Sequence, residues 1–146
     1  MAADDHARAA LAAALARHPG ARPFRFADGP DLCADLTALV LSGLKTATCG
    51  RLSDHPEGDP DRPAGGRRDV ACLWDWTPAA VVETVEVTER RFRDVPRDFA
   101  EAEGEGDYDG WRAGHVAFFR RTGGWSEDMW LLCERFRVVE GLKPPR

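Results

Sequence analysis

Apolar positions recur along the chain with two periods, and the switches between them mark out a series of helices and strands. Leu32, Leu36, Leu39 and Val40 fall at i, i+4, i+7 and i+8, one face of a helix. Pro30 suits the first turn, Asp31 complements the positive end and Gly43 supplies a left-handed stop. The spacing therefore predicts a helix over Asp31–Ser42. The same period puts Trp111, His115, Phe118 and Phe119 on one stripe of a helix over Tyr108–Thr122. Upstream, Asp4–His18 is rich in the helix formers alanine and arginine and stops at Pro19-Gly20. With only Leu11 and Leu15 as large apolar residues, this first helix is expected to be an appendage packed on one stripe. A short helix is expected from Pro96 through Glu103, ended by Gly104 and Gly106.

A period of two marks the strands: Phe24-Arg25-Phe26, Val70–Trp74, Val81–Thr88 and Met129–Glu140. Val81, Val85 and Val87 are expected to share one face, and Phe136 and Val138 to face away from Arg135, Arg137 and Val139. Asp75-Trp76-Thr77-Pro78 is the expected turn between two of these strands. Thr46–Arg51 is a strand or extended turn. Ser53–Arg68 holds three prolines and three glycines, a loop of the length usually given over to function or disorder. Helices mixed irregularly with about five strands imply an α+β fold, a small, mostly antiparallel β-barrel flanked by helices. The expected organisation is a helical extension over 1–22, one domain over 23–141 and a short tail over 142–146.

Composition sets bounds on this picture. Of 146 residues, 43% are hydrophobic and 31% charged, the mixture of one globular domain. No run approaches the ~20 apolar residues of a membrane span, and the chain's start lacks the basic, strongly apolar pattern of a secretory signal. Cys33, Cys49, Cys72 and Cys133 show no C-x-x-C pair, and each lies in an apolar stretch. They are expected to be buried thiols of a reduced, cytoplasmic protein. His6, His18, His55 and His115 have no metal-binding spacing, so neither metal nor cofactor is expected. His115 is expected to be a satisfied core residue. The net charge of −5 gives no overall attraction to a polyanion, although Arg67-Arg68, Arg90-Arg91-Phe92-Arg93 and Arg120-Arg121 are local basic clusters.

The chemistry concentrates at Gly43-Leu44-Lys45-Thr46-Ala47-Thr48. Lys45 sits just past a helix stop, where it would at least complement the carbonyl end of the helix. Lys45 and Thr48 are three apart, so strict strand geometry sends them to opposite faces, and only a bend or bulge brings them into one cleft. This segment resembles the G-x-K-x-x-T signature of ASCH-domain proteins, within the PUA-like barrel superfamily. The resemblance continues through Phe99–Asp107, Trp111 with His115, Phe118-Phe119, Ser126–Met129 and Cys133–Phe136, and is strongest to the branch labelled DUF984. It implies a small β-barrel that acts on a modified nucleoside or on single-stranded RNA. Lys45, Thr48 and Glu103 would be the catalytic residues of an amidohydrolase of the N4-acetylcytidine type, with Glu101 and Glu105 close by as alternatives for the carboxylate. Gly43, Thr46, Arg51, Arg91, Arg93 and Ser126 would contact the ligand. The family pattern places an arginine two residues after the threonine; here that position is Gly50, and Arg51 would replace it only across a bulge. A non-catalytic RNA-binding module, stacking bases on Trp74 or Trp76, and an RNA-cleaving protein are the alternatives. No membrane partner is implied.

Overall fold

The computed structural model describes residues 2–142, so the tail expected over 142–146 lies outside them from Lys143 on. Elements follow in the order α1 (Ala2–Arg17), β1 (Pro23–Arg25), α2 (Pro30–Ser42), β2 (Ala47–Arg51), β3 (Arg68–Cys72), β4 (Pro78–Arg91), α3 (Arg97–Ala102), α4 (Tyr108–Arg121) and β5 (Trp130–Gly141). Among them no helix is long and apolar enough to cross a membrane. The five strands form one sheet in the order β1-β3-β4-β5-β2. Three neighbouring pairs are antiparallel, whereas β1 runs parallel to β3. The α+β class is as the sequence predicts, but the sheet is mixed and is not a closed barrel. The chain between β1 and β3 carries α2, β2 and a long loop, a crossover that permits parallel pairing. Closure would require the edge strands β1 and β2 to pair. Among the described residues they do not, and a cavity occupies the space between them.

Each face of the sheet has its own core. Phe26, Leu36 and Val40 pack on Ala80, Val82 and Phe136 beneath α2. On the other face Phe92, Phe99, Trp111 and Phe119 pack with Ala47, Leu131 and Cys133 beneath α3 and α4. The first helix belongs to this architecture more closely than an appendage would. Ala7 and Ala14 are buried, and Ala14 packs against Val70, Cys72 and Val81. Arg17 and His18 pair with Glu140 at 2.9 and 2.8 Å.

Two bulges explain where simple alternation fails. The register of β4 on β5 jumps between Thr84 and Glu86, leaving Val85 as an extra residue. Val85 is therefore 58% exposed rather than aligned with Val81, which is fully buried. A second jump between Val81 and Val82 leaves Val139 unpaired; Val139 packs beside α1 while Val138 is exposed.

Candidate functional site

The lysine motif is held by the end of α2 and the turn after α3. Gly43 stops α2 at φ 85°, and the N–H groups of Leu44 and Lys45 both donate to Leu39 O at 3.0 Å. The Thr46 N–H then donates to Ala102 O at 2.7 Å, bonding the start of β2 to the end of α3. Gly104 is needed at this contact. Its φ is +81°, and a Cβ there would lie 2.7 Å from Leu44 O. The two turns thus dock backbone to backbone, and the docking brings Lys45 to Glu103 across 58 residues of chain.

Both side chains are sealed, each residue 1% exposed. Lys45 Nζ donates to Glu103 Oε1 at 3.2 Å and to the Glu103 carbonyl at 3.4 Å. Trp111 Nε1 donates to Glu103 Oε2 at 2.7 Å, and His115 Nε2 lies 3.3 Å from the same oxygen. His115 Nδ1 donates to the Trp111 carbonyl at 2.8 Å while its ring stacks on Trp111. With both ring nitrogens facing acceptors, His115 suits an imidazolium. Burial alone would push the Glu103 carboxyl up, but the Lys45 ammonium, His115 and Trp111 outweigh it and hold the carboxyl at about 2. Burial would lower His115, and Glu103 reverses this to a net rise. Cys49 completes the cluster, with burial and the Glu103 charge pushing its thiol well above the ordinary range. Potential metal-ligating atoms of Cys49, Glu103 and His115 lie within 4.8 Å of one another. The Glu103 oxygens, however, already have Lys45, Trp111 and His115 as partners, so hydrogen bonds and ion pairs account for this arrangement.

Thr48 belongs to the opposite face. The β2–β5 register runs without interruption from Ala47↔Arg135 to Arg51↔Leu131, so no bulge reorients Thr48. Thr48 lies opposite Glu134 and lines a cavity of about 410 Å³. Phe24, Arg25 and Phe26 line its β1 side, Thr48 and Gly50 its β2 side, and Val82, Leu132 and Glu134 its floor. The long loop before β3 closes another wall with His55, Asp61, Pro63 and Arg67. Burial pushes the Glu134 carboxyl up against the opposing hydrogen bond from Thr84 Oγ1, and it pushes Asp69 up as well. The sealed cluster lies behind this cavity: Phe26 and Cys49 line it, and Lys45 Nζ lies 5.6 Å from the centre of the Phe26 ring.

A docked lysine turn on a five-stranded mixed sheet can be set against known families. The ASCH domain profile matches residues 23–140. The chain is a member of the ASCH domain family. Among solved structures, an ASCH domain from Lactobacillus crispatus JV V101 is 25% identical with a TM-score of 0.80, covering 92% of this chain and 94% of that one. A protein from Enterococcus faecalis V583, labelled DUF984, is 30% identical with a TM-score of 0.74, covering 86% and 84%. An ASCH protein from Zymomonas mobilis shares the fold at 13% identity and a TM-score of 0.53, covering 77% and 70%. No curated protein matches the chain.

In this ASCH domain the residues singled out by sequence are dispersed. Lys45 and Glu103 meet in the sealed cluster, with Gly43 and Thr46 shaping the turn that carries Lys45. Thr48 alone faces the cavity. Arg51 and Ser126 line a separate groove of about 590 Å³ with Trp125 and Trp130. Arg51 does not line the cavity. Its guanidinium donates to the carbonyls of Phe119 at 2.7 Å, Gly124 at 2.6 Å and Thr122 at 3.2 Å, closing the end of α4. Arg91 donates to the Asp128 carbonyl at 3.1 Å and lies over Trp130, and Arg93 pairs with Asp128; neither lines the cavity. Trp74 and Trp76 both flank the Arg25 guanidinium, 3.8 and 4.1 Å from it, rather than presenting free stacking faces. Glu134 lines the cavity too, although the motif pattern does not single it out within the matched Cys133–Phe136 segment. Its signal is the alternation of β5: Leu132, Glu134 and Phe136 share a face, and Glu134 is the ionisable residue in an otherwise apolar stripe.

Proposed function

We propose that this ASCH protein binds an N-acylated nucleoside in the cavity between β1 and β2 and hydrolyses its amide bond. The observation that carries this reading is the placement of Thr48. It is the motif threonine and the only hydroxyl side chain among the cavity-lining residues. The cavity's volume, about 410 Å³, falls within the range of about 300–1,000 Å³ typical of small-molecule sites. Phe24 and Phe26 offer apolar contact to a base, while Thr48, Glu134 and Asp69 offer polar contacts to its edge. Thr48 Oγ1 is the nucleophile toward the acyl carbon. Lys45 and Glu103, ion-paired behind the Phe26 wall, brace the turn that leads into Thr48. A long polyanion suits the surface less well. Arg67, Arg68 and Arg93 are paired with Asp69, Glu83 and Asp128.

The test is incubation with N4-acetylcytidine and with single-stranded RNA, read by chromatography. Release of cytidine and acetate by the wild-type protein, lost in Thr48→Ala with unchanged thermal midpoint, is the expected result. RNA fragments without deacylation, or no reaction with either, overturns the hydrolase reading.

A further inference from the structure

We propose that Glu134 is the general acid–base of this cavity, acting on Thr48 across the β2–β5 pair. The proposal rests on the hydrolase reading above and adds to it the proton acceptor that a threonine nucleophile requires. Thr48 and Glu134 are direct partners in an antiparallel register, so both side chains leave the same face. Directly opposed positions have Cβ atoms about 4.5–5.5 Å apart, a separation a glutamate can bridge to a neighbouring hydroxyl. Both residues line the cavity. The Glu134 carboxyl is anchored at one end, where Oε1 accepts from Thr84 Oγ1. Its Oε2 has no hydrogen-bond partner among the described residues, which leaves that oxygen for the cavity.

The rival bases are less well placed. Glu103 has its carboxylate bound by Lys45, Trp111 and His115 behind the cavity wall. Lys45 donates to Glu103 and does not line the cavity. Around Glu134 stand Thr48 on β2, Thr84 on β4, Asp69 on β3, and Arg67 and His55 on the long loop. Burial and the Asp69 charge raise its carboxyl, while Thr84, Arg67 and His55 draw it down; the net effect is upward. A carboxyl above its ordinary range is a stronger base and a usable acid nearer neutral pH.

The step balances. Glu134, as carboxylate, takes the Thr48 hydroxyl proton as Oγ1 bonds to the acyl carbon. Collapse of the tetrahedral intermediate breaks the carbon–nitrogen bond, and Glu134 returns the proton to the leaving nucleobase amine. Water, deprotonated by Glu134 in turn, cleaves the threonyl ester, releasing the acid and restoring the hydroxyl. The sum is amide plus water giving acid plus amine.

The experiment measures N4-acetylcytidine hydrolysis against pH for wild type, Glu134→Gln and Glu134→Asp, with thermal melts of each. Glutamine keeps the size and can still accept from Thr84. Expected are a kcat about 100-fold lower in Glu134→Gln, KM and midpoint little changed, and loss of the acid limb of the pH–rate profile. Glu134→Asp keeps that limb. If wild type turns over and Glu134→Gln retains kcat and the limb, the Glu134 role is overturned while the hydrolase reading stands. If wild type neither turns over nor binds N4-acetylcytidine, that reading fails and this proposal with it.

Discussion

Ionisable groups gather on both sides of β2, and the two sides treat charge in opposite ways. On the face toward α3 and α4, Lys45, Glu103 and His115 satisfy one another with water almost wholly excluded. On the face toward β1, Glu134 and Asp69 border an open cavity, and their carboxyls are pushed up rather than down. The contrast follows from partners. A carboxylate sealed beside an ammonium and an imidazole is held ionised, whereas burial wins at Glu134, whose main partner is a hydroxyl, and at Asp69 despite its pairing with Arg67. Closed pairing suits a fixed scaffold, and an incompletely paired carboxyl suits proton exchange with a ligand.

The largest expected effect comes from breaking the sealed side. The motif alone gives Lys45 the modest role of a helix-end charge, whose removal would scarcely move the thermal midpoint. Its burial against Glu103 points to a larger effect. Lys45→Met is expected to cost about 3–5 kcal/mol by leaving Glu103 short of a partner, and Lys45→Met/Glu103→Gln to recover part of it. Urea unfolding measures both. The cluster also sets a pH window. Glu103, lowered from 4.5 to about 2, contributes stability that is present above 4.5 and lost as pH falls toward 2. His115, raised from 6.5, contributes stability that is full below 6.5 and lost as pH rises through its folded value. The destabilisation caused by His115→Phe is therefore expected to shrink on the alkaline side of 6.5 in a series of melts.

A smaller effect sharpens the comparison by moving the sealed side without changing a charge. Gly104→Ala adds a Cβ against Leu44 O at a positive φ, with an expected cost of about 1–3 kcal/mol. The Lys45–Glu103 contact should loosen, and hydrogen exchange at Thr46 N–H should quicken as its bond to Ala102 O weakens. Arg51→Met is expected to cost about 1–2 kcal/mol by freeing the end of α4. Because Arg51 closes that helix rather than the cavity, Arg51→Met should leave N4-acetylcytidine affinity unchanged in calorimetry.

The sequence made some of this legible and concealed the rest for identifiable reasons. The apolar stripes of α2 and α4 are local patterns, and both helices stand within a residue or so of their predicted limits. The lysine motif marked the docking turn, and the three-residue spacing already separated Lys45 from Thr48. The open sheet was not legible, because closure depends on whether two short edge strands far apart in sequence meet. Val85 looked like a face-sharing valine because a bulge shifts side-chain parity without a mark in composition. Arg51 looked like a ligand contact because its true partners are carbonyls of Phe119, Thr122 and Gly124, which no side-chain pattern announces. Glu134 was hidden for a simpler reason. A glutamate in a strand reads as solvent-facing until its neighbours are known to fold over it.

The most direct measurement of the central claim is an amide chemical-shift titration of the wild-type protein with N4-acetylcytidine. Saturable shifts confined to Thr48, Gly50, Leu132 and Glu134, with Trp125, Ser126 and Trp130 unmoved, are the predicted result. Shifts confined to the groove at Trp125, Ser126 and Trp130, or none at all, would contradict it.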